Sequence, residues 1–151
     1  MIYIASDHGG FDLKERIIDF LKQNGYEVED KGAFVFDSTD DYSDFTISAL
    51  KELEKDPNGK AILLCRNGVG VSILANKFKG VRAALSWNKV HAQTSRNDDN
   101  SNVLALPADF ISEKDAFDIV ETWLNTPFSN TERHIRRLGK IGNLEETARY
   151  E

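Results

Sequence analysis

Short apolar runs that alternate with stretches of helical periodicity fix the class of this chain before any single residue is considered. Ile2-Tyr3-Ile4-Ala5 reads as a buried strand; Phe11, Leu13, Ile17, Ile18, Phe20 and Leu21 then recur at helical spacing until Asn24-Gly25. Residues 26–30 give a second strand. Phe45, Ile47, Leu50 and Leu53 mark a helix closed by Asp56-Pro57-Asn58-Gly59, and residues 60–64 form a third strand. A short helix at 71–77, a strand at 81–86, a weak helix at 89–96 and a strand at 103–106 continue the alternation. Ser112 with Asp115 resembles a capping box for a helix to residue 124, and a last helix spans 130–148. This order predicts an α/β fold, a doubly wound, Rossmann-like parallel sheet of about five strands with helices on both faces.

With 151 residues, the chain is read as one domain, 1–151, large enough to bury a core without disulfide or metal staples. A net charge of -6 argues against general binding to nucleic acid or anionic lipid, so an anionic ligand must be met by a local cluster. Arg133, His134, Arg136, Arg137 and Lys140 form such a cluster. The opening residues lack the basic stretch of a secretory leader, no apolar run is long enough for a bilayer, and a single cysteine fits a reducing compartment, so a cytoplasmic location is expected.

In a doubly wound sheet the ligand sits beyond the carboxyl ends of the strands. That rule gathers Ser6-Asp7-His8-Gly9-Gly10, the stretch from Cys65 to Ser72, and Ser86-Trp87 into one expected site. Cys65 is the chain's single thiol, without a disulfide partner or a thiolate cluster for metal. Alone it reads as a buried, inert cysteine; the glycines after it favour a reactive one, because they free backbone N–H groups to face a ligand. Asp7 and His8 read either as helix cap and surface residue or as proton-transfer groups beside the thiol. Gly68, Gly70 and Ser72 open a helix as an anion hole or as a plain tight turn, and they match neither a Walker loop nor a dinucleotide fingerprint. Arg133 and Arg137, four apart on one helix face, could grip a phosphate or only pair with Glu132 or Glu145.

Taken in order, Ser6-Asp7-His8-Gly9-Gly10, Asp41-Tyr42, Cys65, Gly68-Val69-Gly70-Val71-Ser72-Ile73-Leu74-Ala75-Asn76-Lys77, Gly80-Val81-Arg82-Ala83, Ser95-Arg96, Asn102-Val103-Leu104-Ala105 and Arg133-His134 with Arg137 resemble the type B ribose-5-phosphate isomerases and the galactose-6-phosphate isomerase subunits. The resemblance implies aldose–ketose isomerisation without metal or cofactor, through a cis-enediolate. Cys65 would move the proton between C1 and C2, Asp7 would handle protons on the substrate oxygens, and N–H groups of residues 67–72 would hold the enediolate. His8, Arg133 and Arg137 would bind the phosphate. It further implies a homodimer with shared active sites, the helix 130–148 reaching the partner, with a tetramer as the larger alternative.

Departures from the family pattern cluster at the pocket. Arg66-Asn67 stands where Gly-Thr is usual, Asp98 where a histidine is usual, Pro107-Ala108-Asp109 where Gly-Ser-Arg is usual, and Ser43 where a proline is usual. The first two changes remove the groups that the family pattern assigns to ring opening, with Asp98 left as a substitute base. Asp109 reverses a charge that helps hold phosphate, and Arg66 supplies a new cation expected to pair with Asp98 or Asp109. Arg66 and Asn67 therefore join His8, Gly68, Gly70 and Ser72 as substrate-binding candidates, as does position 99, held by Asp99, with no role assigned. The favoured reading is an isomerase of ribose 5-phosphate. The alternatives are an isomerase of another pentose or hexose phosphate, a weakly active sugar-phosphate-binding subunit, and a flavodoxin-like nucleotide-binding module.

Overall fold

A computed structural model describes residues 1–147. Five strands, β1 (Ile2–Ser6), β2 (Val28–Asp30), β3 (Lys60–Cys65), β4 (Ala83–Leu85) and β5 (Val103–Pro107), form one sheet in the order β2-β1-β3-β5-β4. Every pairing is parallel. Among the described residues six α-helices connect or follow them: α1 (Phe11–Gln23), α2 (Tyr42–Leu53), α3 (Val69–Ala75), α4 (Lys89–Asp99), α5 (Glu113–Asn125) and α6 (Glu132–Thr147). The single α/β domain expected from the alternation is what forms; residue 148, the expected end of the last helix, lies outside the described residues.

The alternation of side chains along β3 explains why the strands read as unbroken apolar runs. Ile62 and Leu64 face one way, into a core with Ile17, Leu21, Ile119 and Trp123 of α1 and α5. Ala61, Leu63 and Cys65 face the other way, into a core with Leu50 and Leu53 of α2 and Val71 and Ala75 of α3. Both faces being covered, strand residues on either side must be apolar.

Element ends differ from the sequence reading in ways that hydrogen bonding accounts for. β4 is shorter than 81–86 because Arg82 N–H donates to Asn102 Oδ1 at 2.8 Å and Ala83 N–H to Asn76 Oδ1 at 2.9 Å. Amide side chains thus satisfy donors that an extended ladder would have used. α4 continues past residue 96 to Asp99, where Asn100 in the left-handed region (φ 47°) caps it by donating to Arg96 and Ser95 carbonyls. α3 begins at Val69 rather than 71, directly after Gly68 (φ 72°).

Among the described residues one charged side chain lies wholly inside. Lys14 of α1 is fully buried, and its Nζ reaches Asp30 Oδ2 at 2.6 Å, the Ala33 carbonyl at 2.8 Å and Glu15 Oε1 at 3.0 Å. It ties α1 to the loop leaving β2. Lys14→Ala strands these acceptors without the charge that faces them, and is expected to cost about 3 kcal/mol in denaturant unfolding. A loss below about 0.5 kcal/mol would show the ammonium to be structurally idle.

Candidate active site

The strand order places the site. The chain runs from β1 outward to β2, then returns past β1 to β3, so β1 and β3 leave the sheet in opposite connections and a crevice opens at their carboxyl ends. Ser6 pairs with Leu64 and Cys65 with Pro107, which sets the ends of β1, β3 and β5 side by side.

Asp7 follows β1 directly and is 6% exposed. Its Oδ1 accepts from Gly9 N–H at 2.9 Å and Gly10 N–H at 3.3 Å, capping the short 3-10 turn His8–Gly10 that leads into α1. The cap reading and the functional reading are therefore compatible, since Oδ2 makes no hydrogen bond among the described residues. Burial pushes the Asp7 carboxyl above its ordinary value of 3.8, against the lowering effect of the two N–H donors and His8.

His8 is held by a residue that the sequence reading did not single out. Asp40 Oδ1 accepts from His8 main-chain N–H at 2.9 Å and lies 2.7 Å from His8 Nδ1. One part-buried carboxylate oxygen thus fixes backbone and ring together, and it selects the tautomer with hydrogen on Nδ1, leaving Nε2 outward. Phe36 closes over the ring edge at a centroid distance of 6.3 Å. Asp7, His8 and Asp40 have ligand atoms within 4.8 Å of one another, yet an ion there would have to displace the short His8–Asp40 contact.

Cys65 ends β3 at 5% exposure. Gly68 N–H donates to its Sγ at 3.2 Å, and Sγ lies 3.8 Å from Asn67 Oδ1, which also accepts from Val69 N–H at 3.0 Å. The sulfur therefore has a donor suited to a thiolate and an acceptor suited to a thiol. Gly68 is required here: a Cβ would lie 2.5 Å from Leu85 Cδ1 and 3.0 Å from Leu106 C and Pro107 N, at a φ that side chains rarely adopt. Gly70 is required for another reason, because Tyr42 packs its ring where a Cβ would be, 2.5 Å from Tyr42 Cζ.

The expected anion hole is narrower than residues 67–72. Gly68 N–H is taken by the thiol, Val69 N–H by Asn67, and Ser72 N–H by the Gly68 carbonyl at 3.3 Å. Gly70 and Val71 at the start of α3 keep N–H groups with no acceptor among the described residues, whereas Ser72 N–H is a helix-internal donor.

The remaining expected residues divide. Arg66 pairs with Asp109, Nη1 to Oδ2 at 3.4 Å, as one of its two expected acids. Asp98 lies elsewhere, on the last turn of α4, bonded by Asn97 Nδ2 at 2.6 Å and 3.8 Å from Nε2 of the buried His134. Arg133 on α6 sits in that second group, its Nε 3.3 Å from His134 Nε2, and Arg133 and Arg137 are both exposed. Among the described residues no hydrogen bond or ion pair joins Asp98, Arg133 or Arg137 to the group around Cys65. Asp99 lines a groove of about 420 Å³ between β4 and α6, with Arg82 and Leu138. Trp87 lines a groove with Asp115 and Asp118 of α5 and stacks on His91 at a centroid distance of 4.4 Å.

Two outcomes test this geometry. Since the folded Asp7 carboxyl lies above its unfolded value, its contribution to stability is fullest below the unfolded value and is lost as pH rises through the folded one. Asp7→Asn keeps the cap acceptor without the buried charge, so it is expected to be about 0.5–2 kcal/mol more stable than the parent at pH 7, the gap closing on acidification. Denaturant curves across that range read it, and a gap independent of pH would refute the assignment. Asp40→Ala is expected to release the ring, seen as a mixture of His8 tautomers in the imidazole nitrogen NMR spectrum, where the parent gives one.

Comparison with known proteins shows the family. The family model described as Ribose/Galactose Isomerase matches residues 2–141. A curated relative named ribose-5-phosphate isomerase B, from Mycolicibacterium paratuberculosis, is 38% identical over 97% of this chain and 92% of its own. The crystal structure of ribose-5-phosphate isomerase B from Mycoplasma genitalium with bound ribulose-5-phosphate has a TM-score of 0.93 at 40% identity, covering 97% of this chain and 96% of that one. That of ribose-5-phosphate isomerase B from Clostridium thermocellum has a TM-score of 0.92 at 41% identity, covering 97% and 98%. With the family model matching residues 2–141 and relatives matching along nearly its whole length, the chain belongs to the ribose/galactose isomerase family.

Proposed function

We propose that this protein is an aldose–ketose isomerase of a phosphorylated sugar, interconverting ribose 5-phosphate and ribulose 5-phosphate. The observation that carries the chemistry is the Cys65 sulfur, 3.2 Å from Gly68 N–H at the foot of the crevice that Asp7 and His8 border. As thiolate it takes the proton from C2 of the open-chain aldose and returns it to C1. The electron pair moves into the C1–C2 bond, and charge collects on the carbonyl oxygen. The N–H groups of Gly70 and Val71 and the start of α3 face that charge, which exists only along the reaction path, so they lower the barrier more than they tighten substrate binding. Asp7, held by Gly9 and Gly10, exchanges the proton between O1 and O2. Its raised pKa suits a group that must carry a proton for part of the cycle.

The phosphate is assigned to His8 Nε2 and to Arg133 and Arg137 from a second copy of the chain. This is supported by the exposure of both arginines on α6 and by the absence, among the described residues, of any bond from them to the Cys65 group. Asp98, beside Arg133 and His134, would enter the same shared site from that copy and serve as the base for ring opening. We read the protein as a cytoplasmic homodimer. A lone thiol fits a reducing compartment, and no described helix is long and apolar enough to cross a membrane.

Purified protein incubated with ribose 5-phosphate, ribulose 5-phosphate and a set of hexose phosphates in deuterium oxide is expected to interconvert the pentose pair with exchange at C2. Cys65→Ala should lower kcat by about 10²–10⁴ while KM moves little. Undiminished turnover by Cys65→Ala would rule out the thiol base, and no turnover on any sugar phosphate would rule out the isomerase.

A further inference from the structure

The position of Arg66, a cation beside the His8 turn, depends on a bare glycine. A Cβ on Gly9 would lie 2.4 Å from Arg66 Cγ, so the aliphatic stem of Arg66 rests on the turn that carries His8. His8 Nδ1 is engaged by Asp40, and its Nε2 has no acceptor or donor among the described residues. The guanidinium, further along the same stem, meets Asp109 through a single 3.4 Å contact with both side chains substantially open, 61% and 44% exposed. The loops beneath are fixed more firmly: Asp109 N–H donates to the Arg66 carbonyl at 2.9 Å and Ala108 N–H to the Cys65 carbonyl at 3.0 Å. A rigid base thus carries a loosely parked head.

We propose that Arg66 is a phosphate-binding latch, parked on Asp109 in the free protein and transferred to the substrate's phosphate beside His8 on binding. An exposed, single-contact ion pair holds little free energy, whereas a guanidinium fork on a phosphate makes two charge-assisted hydrogen bonds. The exchange therefore runs toward phosphate. Asp109 keeps the unoccupied mouth neutral and sets a threshold that only a doubly charged group overcomes, which favours phosphorylated over free sugars. This rests on the sugar-phosphate reading of the site.

Binding of inorganic phosphate to the full-length protein, by calorimetry, tests the latch without turnover. Arg66→Ala is expected to raise Kd about tenfold, with Arg66→Lys between it and the parent. Asp109→Asn should lower Kd about two- to fivefold in the parent and leave it unchanged in the Arg66→Ala background. Equal tightening in both backgrounds would mean that Asp109 only repels the anion, and looser binding in Asp109→Asn would mean that it holds Arg66 in its binding pose; either overturns the latch. A full cycle of these effects in a protein that turns over no sugar phosphate would remove the isomerase and leave the latch standing.

Discussion

The placement of β3 between β1 and β5 is the constraint on which the rest depends. With Ser6 opposite Leu64 and Cys65 opposite Pro107, three strand ends stop at nearly one level, and each delivers a different chemical group: a carboxylate and imidazole, a thiol, and the Pro107–Asp109 turn. Shifting β3 by one residue would turn Cys65 from the α2/α3 core to the α1/α5 core and exchange Ile62 and Leu64 for Ala61 and Leu63 on each face. The cores would no longer fit, so packing enforces the register that positions the thiol. Stability and chemistry here share one cause.

How much of this the sequence carries follows from the range of each interaction. Strand positions were legible because burial on both faces leaves contiguous apolar runs, and Asp7, His8 and Cys65 were legible because they directly follow such runs and precede glycines. Asp40 was not, since it reaches His8 across 32 positions from a loop of Asp and Ser with no periodicity. Tyr42 likewise takes its meaning from Gly70, on a different helix. The extent of β4 was misread because its donors are bonded by Asn76 and Asn102 side chains, and nothing local to residues 81–86 signals that. The family pattern placed Asp98 in the site; the structure shows only that it travels with Arg133 and His134, apart from Cys65.

The two departures from the family pattern on neighbouring loops make physical sense as one change. Asp109 alone would bring a negative charge to a mouth that must admit an anion, in a chain already at -6. Arg66 alone would leave a cation stretched over Gly9 with nothing to hold it. Together they are neutral, and the loops carrying them are stitched by the main-chain bonds from Ala108 and Asp109 to Cys65 and Arg66, so their spacing does not drift.

Asn67 also acts as a member of a set. Its Oδ1 accepts from Val69 N–H and faces the thiol, while Gly68 N–H donates to the same sulfur. Each bond removes one donor from the loop's possible anion-binding face, yet each also fixes a backbone group that would otherwise reorganise as charge develops. In the proposed reaction the N–H groups of Gly70 and Val71, following a turn held in this way, would meet a forming oxyanion with less reorganisation than a larger number that must first be oriented. The trade of donor number for rigidity also ties the proposed hole to the thiol: were Cys65 to lose its proton, the Asn67 oxygen would become an unfavourable neighbour and Gly68 N–H a favourable one, so the two contacts that hold the turn favour opposite states of the sulfur.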